Sequence, residues 1–521
     1  MDKNAIKKYA VWARTELITR VSQRAEKYDI TAEADASASS VNGVLLSDAE
    51  IKQRKALIEQ VKQKGFDQVM EEVAYTWFNR FIALRFMEVN GYLPSHIRVF
   101  TDDNNNFKPQ ILAEAIHLEL DGLDMEKVYE MKNSNENDEL YKYLIITQCN
   151  ELSKILPGMF QKISDYTELL FPDNILREGS VIEQMISQIL EDDWKDQVQI
   201  VGWLYQFYNS ELKDQVFAAL KKNIKISKEN IPAATQLFTP DWIVRYMVEN
   251  SLGKIWSEGH ETSKCKDAWQ YYLKGTEQKD DVQSKLNEII EMNKQLRPET
   301  IKCIDPCSGS GHILVYLFEV LIQIYEDYGI LNRDAVKSVI TNNLWGLDID
   351  ERAAQLAYFS VMMKAVQYDR RFLHRKDDEG NPDVPQPHIY SIKDSNNLNK
   401  DVIAYFCNGN NKLTDEIGKL IADMKNAKEY GSIVDVRDVD FDAIFARFNE
   451  IKDEISLYKN DVFDQLYPFV QVARALSQKY NVTVTNPPYM SNRGMSPLLL
   501  DYVKERFPAA KSDLFSVFIE R

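Results

Sequence analysis

Apolar residues recur at three- and four-residue spacing through residues 66–90, where Val69, Val73, Trp77, Phe81 and Leu84 fall on one helical stripe. Gly91 and Pro94 supply a stop. Glu71, Glu72, Arg80 and Arg85 are the polar positions of this helix, and its aromatics read as core. A second apolar segment, VQIVGWLYQFY at 198–208, is too long and too aromatic for a turn and reads as packed in a helical core. The loop DDNNN at 102–106 separates elements. Residues 1–230 therefore form an N-terminal helical domain. From about 231 the texture changes to short apolar runs alternating with amphipathic segments, the signature of an α/β fold with a parallel sheet. The runs lie at 301–304, 344–347, 387–392 and 482–485. The last, Val482-Thr483-Val484-Thr485, is β-branched throughout and reads as a buried strand. Two helical insertions interrupt the core: a charged, exposed one at about 257–300 and a longer one at about 396–480.

Composition narrows the class. The 521 residues suffice for two to four domains, and 44% hydrophobic with 27% charged residues is ordinary for a globular chain. No apolar run approaches the ~20 residues of a membrane span, so no membrane partner is expected. Five cysteines, odd in number and scattered, suggest reduced thiols and a cytoplasmic protein. The six histidines show no paired metal-ligand spacing, and Cys303 and Cys307 lie inside a turn with another explanation, so no metal is expected. The net charge of −17 runs against a nucleic-acid binder, whose affinity rests on cations against phosphate. Two basic clusters, Lys221, Lys222, Lys225 and Lys228, then Arg370, Arg371, Arg375 and Lys376, read first as solvated surface.

The candidate chemistry sits beside the short runs. Asn486-Pro487-Pro488-Tyr489 follows the run at 482–485, at the carboxyl end of a strand, where open α/β sheets bind ligands. The Asn486 side-chain oxygen and the Pro487 carbonyl can accept the two hydrogens of an exocyclic amine, freeing its lone pair for attack. The Tyr489 ring offers a stacking face. A plain turn is the alternative. Asp305-Pro306-Cys307-Ser308-Gly309-Ser310-Gly311 lies between a strand and an apolar helix, and its small residues let the backbone approach a ligand. It lacks the Lys-Ser/Thr of a phosphate loop and the third glycine of a dinucleotide loop. Asp305 can face a cationic amino-acid group. Asp348, ending the next run, is placed for both ribose hydroxyls of an adenosine, with Asp350 as a helix cap. Asp394 or Ser395, after the third run, reads equally as an adenine contact or as a turn. Gln236-Leu237-Phe238-Thr239-Pro240 precedes an amphipathic helix starting near Asp241, with Thr239 as a possible cap and Pro240 in its first turn.

Taken in order, Phe238-Thr239-Pro240, the turn at 305–311, Asp348 and Asn486–Tyr489 resemble an S-adenosylmethionine-dependent adenine-N6 DNA methyltransferase of the gamma arrangement. That resemblance covers about 231–521. The N-terminal part, including VQIVGWLYQFYNSE, is similar to the helical region of the PglX family, methyltransferases of bacteriophage-exclusion (BREX) systems. The resemblance implies a Rossmann-like sheet and S-adenosylmethionine as cofactor. Asp305, Pro306, Ser308, Gly309 and Gly311 would cradle its methionine end, and Phe238, Thr239 and Pro240 would close over that end. Asp348 would hold the ribose and Asp394 would meet the cofactor adenine. Asn486, Pro487, Pro488 and Tyr489 would grip an adenine flipped from double-stranded DNA. Residues 511–515, KSDLF, resemble the next motif, lining the cofactor pocket. Other phage-defence proteins would be partners.

Four sheet strands are countable where such methyltransferases have seven, and no target-recognition domain is visible. The reading is therefore of the front part of a longer protein, with the fourth strand left as an edge. Rival readings are a protein-glutamine or ribosomal-RNA N-methyltransferase, which activates its amine with the same four residues, and a non-catalytic defence scaffold. Cytosine-C5 chemistry needs a Pro-Cys on the fourth strand, and the sole Pro-Cys is Pro306-Cys307. A nuclease pattern, Asp196 with Glu211-Leu212-Lys213, fits in spacing but lies in helical surroundings.

Overall fold

The computed structural model describes all residues except 162–165, 223, 227–229, 236 and 277. Lys228 of the first basic cluster and Gln236 of the segment before the Asp241 helix lie outside the described residues. Two compact units form: Met1–Glu211 with Asp369–Val384, and Leu212–Tyr368 with Pro385–Arg521.

The first unit is built on helices. α1 (Lys3–Lys27) starts where the Asp2 carboxylate accepts from the backbone N–H groups of Asn4 and Ala5. It buries Tyr9, Leu17 and Val21. α2 (Phe66–Val89) carries the 66–90 stripe, and Val69, Val73, Trp77, Phe81 and Leu84 are all buried. α3 (Gln199–Tyr208) is the second apolar segment, and its Tyr208 ring packs edge-on against Tyr75 at 4.8 Å. The expected polar face of α2 is not solvated at every position. Arg85 and Glu88 form an ion pair at 2.5 Å with both side chains fully buried. The second Glu88 oxygen accepts from the backbone N–H of Phe100 at 2.8 Å. Hydropathy spacing cannot register a buried charge neutralised in place. In the same unit, Arg375 pairs with Asp369 at 3.0 Å and Arg370 lies over the Tyr92 ring at 4.9 Å. Arg371 and Lys376 are exposed.

The second unit holds a four-stranded parallel sheet. Its strands are β1 (Cys303–Asp305), β2 (Leu344–Asp348), β3 (His388–Ser391) and β4 (Val482–Thr483), in the order β3-β2-β1-β4. All four fall where the apolar runs placed them. A parallel sheet needs cover on both faces. On one side α4 (His312–Asp327) and α5 (Glu351–Tyr368) supply it. Contact there is so close that a Cβ on Gly346 of β2 would lie 2.6 Å from Leu314. On the other side Ile304, Trp345 and Leu347 share a core with Val402, Phe406, Leu420, Phe448 and Val470. The long segment read as an insertion at 396–480 is thus one layer of the sheet. β4 departs from the buried strand expected. Among the described residues its ladder is two residues long and pairs only with β1, and Thr483 is exposed between buried Val482 and Val484. The 257–300 segment includes a helix, Asp280–Asn293, that buries no side chain. Among the described residues, no helix is long and apolar enough to cross a membrane.

Candidate active site

Strand order positions the site. The chain runs from β1 outward through β2 to β3, then returns to place β4 on the far side of β1. Loops leaving β1 and β4 diverge there and open a crevice at their carboxyl ends. Asp305 ends β1 and is fully buried. Its Oδ1 accepts from the Cys307 N–H at 3.1 Å and from the Thr485 hydroxyl at 2.7 Å. Its Oδ2 makes no hydrogen bond. Burial pushes the carboxyl up to about 7, and the Asp348 carboxylate adds to the shift.

The turn after Asp305 is held from several sides. The Ser308 N–H donates to the Leu347 carbonyl at 2.9 Å, docking the loop on the end of β2. The Pro306 carbonyl accepts from the Ser432 hydroxyl at 2.6 Å. Gly309 has φ +51°, and its N–H donates to Asp348 Oδ2 at 2.8 Å. Apart from its own chain neighbours, no heavy atom of the described residues lies within 4 Å of where a Gly309 Cβ would be. Gly311, at φ +87°, starts α4, and a Cβ there would come within 2.8 Å of the Ala357 Cα on α5. Ser308 Oγ is buried without a hydrogen-bond partner.

Asp348 accepts from Gly309 with one oxygen and from the Asp350 N–H, at 2.8 Å, with the other. Burial pushes it too up to about 7, with Asp350 adding. Asp350 caps α5, accepting from the Arg352 N–H at 3.0 Å and pairing with its guanidinium at 2.9 Å. Asp394 lies beyond β3, and its carboxylate accepts from the Asn396 N–H at 3.3 Å, a local turn contact.

The 238–240 segment and the 486–489 segment meet. The Asn486 Nδ2 donates to the Thr239 hydroxyl oxygen at 3.1 Å, and the Tyr489 hydroxyl donates to Asn486 Oδ1 at 3.0 Å. The cap expected of Thr239 is not made. Pro240 occupies the N-cap position of α6 (Asp241–Glu249), and no side chain caps that helix. The Pro240 carbonyl accepts the first helical N–H groups, from Ile243 and Val244, and leaves the Thr239 hydroxyl for Asn486. Phe238 stacks on His312 at 4.5 Å with 10° between the rings. Pro487 and Pro488 are half-buried, whereas the Tyr489 ring is 60% exposed. Phe515, in the 511–515 motif, lies 6.2 Å from that ring.

The turn at 305–311, Asp348, Thr239 and Asn486–Tyr489 are joined by hydrogen bonds, through Thr485 to Asp305, Gly309 to Asp348 and Asn486 to Thr239. Thr485, His312 and Ser432 were not singled out from the sequence. Alternation along 482–485 pointed to a strand but not to the partner of its last hydroxyl. Nothing near Ser432 marks it. Among the described residues, no group of three or more His, Cys, Asp or Glu side chains could hold a metal ion. The Glu211 and Lys213 of the nuclease-like spacing lie on a helix, Ser210–Lys221, not on a strand.

Residues 342–521 match the family described as Eco57I restriction-modification methylase. The whole chain is 35% identical to the adenine-specific methyltransferase BrxX of Escherichia coli O9:H4 (strain HS). It is 37% identical, again over its whole length, to the adenine-specific methyltransferase PglX of Lacticaseibacillus casei (strain Zhang). The chain spans 45% of the length of each relative. The resemblance to adenine-specific methyltransferases of the PglX family is borne out.

Proposed function

We propose, from this likeness along the whole chain to adenine-specific methyltransferases, that the protein methylates adenine N6 in double-stranded DNA as part of a BREX-like phage-defence system. The observation that supports the reading is the bond from Thr485, the residue before Asn486, to Asp305 at the start of the glycine turn. A cofactor of the S-adenosylmethionine type suits the residues on that turn. Asp305 Oδ2 and Ser308 Oγ are buried and unpartnered, and the space over Gly309 is open. Asp305, Pro306, Ser308, Gly309 and Gly311 would hold the methionine end, with Phe238, Thr239 and Pro240 over it. Asp348 would take the ribose and Asp394 the adenine. When bound, S-adenosylmethionine supplies an electrophilic methyl group on a sulfonium.

The chain's own residues prepare the acceptor. Asn486 Oδ1 and the Pro487 carbonyl accept the two hydrogens of the adenine amine. Held so, the nitrogen leaves planarity and its lone pair localises, without a strong base. Pro488 stiffens the turn that carries both acceptors, since its ring fixes φ. The exposed Tyr489 ring stacks on the flipped base, a contact worth about 1–3 kcal/mol. That gain helps offset the few kcal/mol of unstacking. A cytoplasmic setting goes with this reading, and all five cysteines are free thiols.

The test is transfer of tritiated methyl from S-adenosylmethionine to DNA, RNA and protein offered together. Label in DNA as N6-methyladenine is the expected result. Label in RNA or protein instead would favour the rival amine substrates, and no label anywhere would favour a scaffold.

A further inference from the structure

The carboxamide of Asn486 can point two ways. With Oδ1 toward the target it accepts an amine hydrogen. Turned over, it would set its own NH2 against the adenine NH2, donor against donor. Backbone geometry does not choose between these, because the two orientations have the same shape. An adenine amine offers only donor hydrogens here, so it requires Oδ1, and that orientation leaves Nδ2 in need of a buried acceptor on its other side.

The structure holds such a partner. Thr239 is buried, 7% exposed, and its oxygen accepts the Asn486 Nδ2–H at 3.1 Å. The segment bearing it is braced on one side by the Phe238–His312 stack and on the other by the helix that starts at Asp241. On the opposite side of the carboxamide, Oδ1 carries the Tyr489 hydroxyl at 3.0 Å. One amide edge is thus tied to a buried group. The other is closed by a hydroxyl on an exposed ring.

We infer that Thr239 is the positioning residue for Asn486: its hydroxyl oxygen takes the carboxamide N–H and so supports the orientation in which Oδ1 faces the target amine, while the Tyr489 hydroxyl holds that acceptor until the amine displaces it. This rests on the proposed methyltransferase reading and deepens it. Thr239, assigned above to the cofactor by resemblance, then acts on the acceptor side of the reaction as well.

Two variants separate the roles. Thr239→Val keeps the shape and removes the acceptor, and Thr239→Ser keeps the hydroxyl. Each is measured for S-adenosylmethionine affinity by calorimetry and for turnover on adenine-unmethylated phage DNA. The side-chain amide signals of protein labelled with 15N-asparagine are also recorded, with Asn486 assigned from Asn486→Asp. Thr239→Val should lose about 100-fold in kcat, the scale of one preorganised contact. Any rise in its cofactor Kd should be at least about tenfold smaller than its loss in kcat, and Thr239→Ser should recover most of the kcat that Thr239→Val loses. The Asn486 amide pair should move in Thr239→Val and stay in place in Thr239→Ser. Parallel loss of cofactor affinity and turnover in Thr239→Val, equal loss in both variants, or an unmoved amide pair in Thr239→Val would overturn the inference. A wild-type protein that binds S-adenosylmethionine yet methylates none of this DNA would instead sink the methyltransferase reading, and the amide signals would decide the Thr239 contact by themselves.

Discussion

The hydroxyl of Thr485 donates to the buried Oδ1 of Asp305 at 2.7 Å, across 180 positions of sequence. That bond joins the end of β1 to the residue just before Asn486, so a molecule held by the glycine turn would lie beside the carboxamide. Their duties should still separate. Asp305→Ala should weaken S-adenosylmethionine binding by 10-fold or more, roughly the loss of one charge-assisted contact. Asn486→Ala should bind the cofactor almost as wild type and lose about 100-fold or more in methyl transfer. Calorimetry and a DNA methylation assay on both proteins decide it, and a swapped pattern would refute the assignment.

Two carboxyls pushed up to about 7 by burial, Asp305 and Asp348, make the crevice sensitive to pH. An unfolded aspartate titrates near about 3.9, so the folded chain binds these protons more tightly than the unfolded one. Stability from the pair is therefore full below about pH 4 and lost as pH rises to about 7, on the order of a few kcal/mol. A cationic ligand favours the ionised carboxylates. S-adenosylmethionine should accordingly bind more tightly as pH rises from about 6 to 7.5, and binding should release protons. Titrations in two buffers with different ionisation heats would show the release. Proton uptake, or an affinity that ignores pH, would contradict it.

The two glycines of the turn should fail in different ways. At Gly311, φ is +87° and a Cβ would sit 2.8 Å from the Ala357 backbone. Gly311→Ala should cost about 1–3 kcal/mol in strain, and more where α4 is pushed off α5. At Gly309, φ is +51° with open space around the missing Cβ. Gly309→Ala should cost only about 1–2 kcal/mol in stability. It should reduce cofactor affinity far more than Tm. Thermal melts with and without S-adenosylmethionine separate the cases.

Glu88 neutralises Arg85 inside the first unit. Glu88→Gln should destabilise by about 3–5 kcal/mol, because it strands a buried guanidinium. Replacing both residues by methionine should recover much of that loss. Urea melts of the single and double variants give the comparison, and a silent single variant would show that the pair contributes nothing.

The sheet was legible because each strand is a short apolar run next to a chemically distinctive loop. Asp305, Asp348 and Asn486 stand where a strand ends, and strand ends are visible as changes of texture. The partner of Thr239 was not legible. A threonine before Pro-Asp reads as a helix cap by local rules, and only the fold brings a second acceptor-seeking group from 247 positions away. Arg85 misled for a related reason, since charge reads as exposure until a neighbour cancels it. The β-branched run at 482–485 indicated a strand but not its shortness, which depends on how many neighbours share its ladder.

The helices between residues 400 and 476 form a wall of the sheet, in contact with Ile304, Trp345 and Leu347. Distance along the chain is therefore a poor guide to what can be trimmed. A shortened version designed by excising that stretch as decoration would leave one apolar face of β1 and β2 facing water, and loss-of-function lesions at Phe448 or Leu420 would trace to a collapsed floor beneath the strand ends.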